Sequence, residues 1–123
     1  MFYPEASTKI WLCTQPTDMR KSFNGLSALV KNTLAENPLS GHFFVFINRR
    51  RTTVKVLYFD NSGYCIWMKK LEQGRFHFNS NRDDKLMLSW TELQMILNGI
   101  DTQKVRKYKR YNHQERIENR YNG

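Results

Sequence analysis

Three consecutive arginines, Arg49, Arg50 and Arg51, lie between the apolar stretches HFFVFIN and TVKVLYFD. Further cations follow, with Lys69 and Lys70 ending YCIWMKKL and Arg75 opening RFHF. A guanidinium group matches two oxygens of a phosphate at once, and an ammonium group adds point charge, so such a cluster suits a polyanion. If the strands pair in sequence order, these six residues form one rim of a sheet, which Arg20 and Lys21 extend. The plainer reading is that they keep turns soluble and sheet edges unpaired.

Other chemistry finds less support. No G-x-S-x-G elbow surrounds a serine, and the six glycines form no phosphate-cradling loop. A metal-dependent nuclease would need carboxylates to converge from Asp18, Asp60, Glu72, Asp83 and Asp84. Each has another role to hand: a helix start for Asp18, a turn for Asp60, a polar loop for Asp83 and Asp84. His42, His77 and His113 are dispersed, and Cys13 and Cys65 lack metal-ligand spacing and read as core residues. No metal or cofactor is expected, nor an enzyme.

The whole chain leans the same way as the arginines. Its 123 residues carry 20 Lys and Arg against 11 Asp and Glu, a net charge of +9, which favours nucleic acid or another polyanion. Residues 1–100 hold 13 basic and 8 acidic groups, residues 101–123 hold 7 and 3. The last fifth therefore carries nearly half the excess, through Lys104, Arg106, Lys107, Lys109, Arg110, Arg116 and Arg120. With few apolar residues to offset the ordering cost of roughly 1–2 kcal/mol each, this tail is expected to be flexible, or helical only on a partner. Tyr108, Tyr111 and Tyr121 lie among its cations and could stack on unpaired bases. Three phosphate contacts would weaken binding roughly 40-fold between 50 and 200 mM salt, and ten about 10⁵-fold. Most non-specific affinity would then belong to the tail.

No apolar run approaches the roughly 20 residues of a membrane span, and the start lacks the pattern of a secretory signal, so a cytoplasmic protein without membrane contact is expected.

These cations need elements to position them, and 40% hydrophobic residues suffice for one core over residues 1–100. KIWLCT reads as a first strand. Pro16 and then Thr17 or Asp18 as N-cap open a helix over residues 18–36, in which Met19, Phe23, Leu26, Val30 and Leu34 share a face. Gly25 weakens that helix unless it packs closely on the sheet. The hairpin around the arginines, the DNSG turn and a reversal at Gln73-Gly74 then predict an antiparallel meander through RFHF. The run from Leu86 to Leu88 fits either a fifth strand or the approach to the next helix. That helix, residues 90–98, opens on a capping box of Ser89 with Glu92 and closes on Gly99 and Ile100 in a Schellman ending. The predicted class is α+β: an antiparallel sheet of four or five strands, one long helix on a face, a short C-terminal helix and a basic tail.

The strings TDMRKSFNGLSALV, SGHFFVFINRRRTTVKVLYFDNSGYCIWMKKLEQGRF and LQMILNGID resemble, in order, the TnpB-like accessory proteins of bacterial insertion sequences of the IS-sixty-six class. The likeness spans about four fifths of the chain. It implies a small protein that assists transposition beside a separate transposase and a second accessory protein, with DNA as the usual conjectured ligand. By position, the family's recognisable residues correspond to Thr17, Asp18, Met19, Arg20, Lys21, Phe23 and Gly25, and in the sheet to Gly41, Phe44, Phe46, the arginines, Lys55, Asp60, Gly63, Lys70, Leu71, Gly74, Arg75 and Phe76. Ser22 and Asn24 depart from a frequent Gly and Asp, Tyr58 and Phe59 from a common tryptophan, and Asn79 from a frequent proline. The expected function is a non-catalytic DNA-binding accessory factor. A protein adaptor for the transposase and a metal-dependent nuclease are the alternatives.

Overall fold

The strand Phe43–Ile47 is buried at all five positions. A strand reaches that state only when both faces of its sheet are covered. The computed structural model describes residues 3–80 and 83–101. In chain order its elements are β1 (Ile10–Cys13), α1 (Phe23–Asn32), β2 (Phe43–Ile47), β3 (Thr53–Asp60), β4 (Gly63–Lys70), β5 (Lys85–Leu88) and α2 (Trp90–Leu97). The strands form one sheet of order β4-β3-β2-β1-β5, with β2 at its centre.

The α+β class holds, with one correction: the sheet is mixed. β1 runs parallel to β2, Ile10 beside Phe43 and Leu12 beside Val45, whereas the β2–β3, β3–β4 and β1–β5 pairs are antiparallel. Two neighbouring parallel strands need a crossover, and α1 supplies it between β1 and β2. Only β2, β3 and β4 form the expected meander. The apolar run at residues 86–88 proves to belong to a strand, β5, which closes the sheet beside β1.

Alternation divides the core between the two faces. On one, Phe44, Phe46, Leu57 and Cys13 pack with Leu26, Val30 and Leu34 from α1 and the turn after it. On the other, Ile10, Leu12, Val45, Val54, Val56 and Leu88 pack with Phe76 and with Leu93, Ile96 and Leu97 of α2. Residues 75–78 are not a strand. They form a strap held by the Phe76 N–H on the Arg51 carbonyl, 2.7 Å, with the Phe76 ring buried beneath α2. Burial of that ring against a helix took precedence over the alternating pattern.

α1 is shorter than predicted. The Lys55 ammonium donates to the Met19 and Lys21 carbonyls, both at 2.8 Å, capturing acceptors that a helix begun at residue 18 would need. Thr17 is buried with its N–H on the Ile47 carbonyl, 2.9 Å, and Asp18 accepts from the Arg20 N–H, 2.9 Å, one turn ahead of the helix. Ser22 is the N-cap and makes no side-chain capping bond, and Phe23 is exposed. At the other end Ala35 adopts a left-handed φ of 53°. Gly25 lies against the stem of Lys21, whose Cβ stands 3.1 Å from where a side chain would begin, and not against the sheet.

α2 follows its caps closely. The Ser89 hydroxyl accepts from the Glu92 N–H and the Glu92 carboxylate from the Ser89 N–H. Gly99 takes φ 71°, with its N–H on Ile96 and the Ile100 N–H on Met95, which is the Schellman arrangement.

Candidate nucleic-acid interface

The β2–β3 loop is built by Asn48. Its side-chain oxygen accepts from the Thr52 and Thr53 N–H groups, 2.9 and 3.0 Å, and its amide donates to the Thr52 hydroxyl at 3.2 Å. The Arg51 N–H closes the turn on the Asn48 carbonyl at 3.0 Å. Arg49 and Arg50 are therefore held outward, both exposed. Sequence reasoning missed Asn48, although asparagine at the edge of a hairpin loop is a turn former whose side chain bonds nearby backbone.

Arg51 has a different position. Its backbone is left-handed, φ 58°, and its guanidinium turns back onto the strap. One nitrogen donates to the Phe78 carbonyl and another to the Ser80 hydroxyl, each at 2.9 Å, while its central carbon lies 3.8 Å from the centre of the Phe78 ring. Arg51 thus ties the strap carrying Arg75 to the loop carrying Arg49 and Arg50.

The end of β4 lies beside this loop, since Thr53 pairs with Lys70 and the Leu71 N–H reaches the Thr52 carbonyl. Adjacent strand residues face opposite ways, which divides the two lysines. Lys69 points to the α2 face, where its ammonium caps α2 through the Leu97 carbonyl at 2.9 Å. Lys70 is exposed on the α1 face. Arg75 is exposed on the strap.

Arg20 and Lys21 belong to the turn that Lys55 grips, at the same end of the sheet, because α1 begins where β1 and β2 end. Arg20 is engaged by the Asp18 carboxylate at 2.7 Å. This hydrogen-bonded guanidinium holds the Asp18 carboxyl well below its usual range, at about 2. Lys21 remains exposed. Of the eight predicted cations among the described residues, the side chains of Arg49, Arg50, Lys70, Arg75 and Lys21 make no hydrogen bond or ion pair to another described residue. Arg51 and Lys69 are bound to neutral acceptors and Arg20 to an acid. Lys104, Arg106, Lys107, Lys109 and Arg110 lie outside the described residues.

The chain leaves the described region at this same end. Asp101 stands 3.9 Å from His77 on the strap, and Gly99 packs near the Arg75 carbonyl. The alternative acids do not converge: Asp18 is at this end, Asp60 closes the β3–β4 turn at the opposite one, and among the described residues no three His, Cys, Asp or Glu could share a metal ion. A cleft of about 460 Å³, lined by residues including Glu5, His42 and Asp60, also lies at the opposite end. There the His42 Nδ1 accepts from the Lys9 N–H at 3.0 Å. Burial raises the Cys13 thiol above its ordinary pKa, and both cysteines are free.

The family model for IS66 Orf2-like proteins matches residues 8–107. The chain belongs to this family. It is an accessory protein of an insertion sequence, of the class expected from its motifs. The chain is also similar to two curated proteins, both uncharacterized proteins of Sinorhizobium fredii. One, y4hO, is 37% identical over 95 residues, covering 77% of this chain and 83% of its own. The other, y4jC, is 36% identical over 107 residues, covering 87% and 92%. No solved structure matches the chain significantly. Among the described residues no helix of this IS66 Orf2-like protein is long and apolar enough to cross a membrane.

Proposed function

We propose that this protein assists transposition by holding DNA on the basic end of its sheet, without catalysing strand chemistry itself. Residues 1–100 form the body, and residues 101–123 act as a cationic tail that adds non-specific affinity. The observation that carries the reading is the set of five exposed cations, Arg49, Arg50, Arg75, Lys21 and Lys70, whose side chains make no hydrogen bond or ion pair among the described residues and which lie near the point where residue 101 leaves the body. Arg51 is a positioning residue, and Lys69 and Arg20 contribute field more than contact. Phosphate contacts fix placement and carry no base sequence, so the binding is expected to be broad in sequence.

The test is a salt titration of binding to short duplex and single-stranded DNA. Arg49→Ala with Arg50→Ala should lower affinity at low salt and flatten the dependence of log K on log salt by nearly 2. An adaptor for the transposase or the second accessory protein predicts instead that the same pair of changes abolishes transposase pull-down and leaves DNA affinity and its salt slope intact. Cleavage in magnesium that is lost in Asp18→Asn and Asp60→Asn would favour the nuclease.

A further inference from the structure

Among the described residues β4 ends the sheet on one side, with β3 its only strand neighbour. Their pairing runs unbroken from Asp60 opposite Gly63 to Thr53 opposite Lys70. The two-residue turn at positions 61–62 makes Asp60 and Gly63 a hydrogen-bonded pair, and the Leu71 N–H on the Thr52 carbonyl keeps that parity at the far end. Odd-numbered residues of β4 thus spend their main-chain groups on β3. Tyr64, Ile66, Met68 and Lys70 turn theirs outward.

Sheets ordinarily disarm such an edge with proline, a bulge or an inward charge. β4 has no proline and no bulge, its charges are confined to Lys69 and Lys70 at the very end, and Met68 is 54% exposed. Among the described residues no strand occupies the edge.

We propose that the outer edge of β4 is a homodimer interface, where a second copy pairs antiparallel about a twofold axis at Ile66 and the two sheets become one. Three features select a second copy of this chain. A twofold perpendicular to the sheet pairs even residues with even ones, so the outward main-chain groups satisfy each other without an offset. The pairing is apolar on both faces, with Met68 opposite the partner's Tyr64 and Trp67 opposite the partner's Cys65. Charge is complementary along the seam, because this register sets Lys69 opposite the partner's Gly63, beyond which the partner's Asp60 lies in the same row and on the same face. Lys70 then sits at the seam as well as on the basic end. The proposal does not rest on nucleic-acid binding.

The net charge of +9 opposes self-association, so added salt should tighten the dimer, the reverse of its effect on phosphate binding. Sedimentation equilibrium of the full chain without DNA is expected to show a micromolar dimer that strengthens from about 0.15 M to about 1 M salt, over which the Debye length falls from about 8 to about 3 Å. Met68→Pro deletes an outward N–H and leaves the bonds to β3 in place. It should keep the circular dichroism spectrum and weaken association at least tenfold. If that variant does not fold, Met68→Lys, placing a charge beside Lys55 and Lys70, should weaken it similarly at about 0.15 M salt. A wild-type chain that stays monomeric at all salt and protein concentrations overturns the proposal, as does a folded Met68 variant that dimerises like wild type. Monomer throughout would instead leave the edge to a strand of another protein.

Discussion

Arg51 shows why three adjacent arginines are not three equal contacts. Its guanidinium is satisfied by the Phe78 carbonyl, the Ser80 hydroxyl and the Phe78 ring, so its loss is felt first in the fold. Arg51→Ala should cost about 1–3 kcal/mol, read as a lower midpoint in urea unfolding. Arg51→Gly should cost less than Ala, because φ 58° strains any residue with a side chain. Arg49→Ala with Arg50→Ala should stay within about 0.5 kcal/mol of wild type, since both are exposed and unbonded among the described residues. Asp18 supplies a pH signature for its pairing with Arg20. Its carboxyl is held at about 2 against an ordinary 3.8, so the stabilisation it confers is present above 3.8 and is lost as pH falls through about 2. An NMR titration should place the Asp18 midpoint near the lower value, and Arg20→Ala should return it toward the upper one.

Elements differ in how closely their own sequence controls them. α2 carries both caps locally, and Ser89→Ala should cost about 1 kcal/mol of stability in chemical unfolding. α1 is governed from outside, by Lys55 at its start and by a left-handed Ala35 after its end. Ala35→Gly should therefore stabilise the protein, by about 0.5–1 kcal/mol after the entropy cost of glycine is subtracted. The strap depends on Phe76, which is fully buried between sheet and α2. Phe76→Ala should cost about 3–5 kcal/mol, and loosening the strap should also displace Arg75 and reduce DNA affinity in the variant that remains folded.

At the scale of the molecule the cations collect because β1 and β2 are parallel: the loop after β1, the β2–β3 loop and the end of β4 all open toward one end of the sheet. Five exposed cations there would make DNA affinity fall about 500-fold between 50 and 200 mM salt, and seven more in the tail would raise this to about 10⁶-fold. A chain ending at residue 101 should show the shallower dependence in a fluorescence-anisotropy titration, and loss of all measurable binding would remove the body from the proposed role. The amino-acid sequence by itself determined the local features: the Ser89 capping box, the Gly99 ending, the DNSG turn, the hairpin that exposes Arg49 and Arg50, and the family. These depend on residues within a few positions of one another. The tertiary structure alone decided that the sheet is mixed, that residues 75–78 form a strap and not a strand, and that α1 starts five residues after the expected N-cap region. It also decided which cations are spent internally. Strand order, and the long side chains of Lys55, Arg51 and Lys69, bring together groups tens of residues apart, and no local pattern encodes which distant carbonyl a cation will meet.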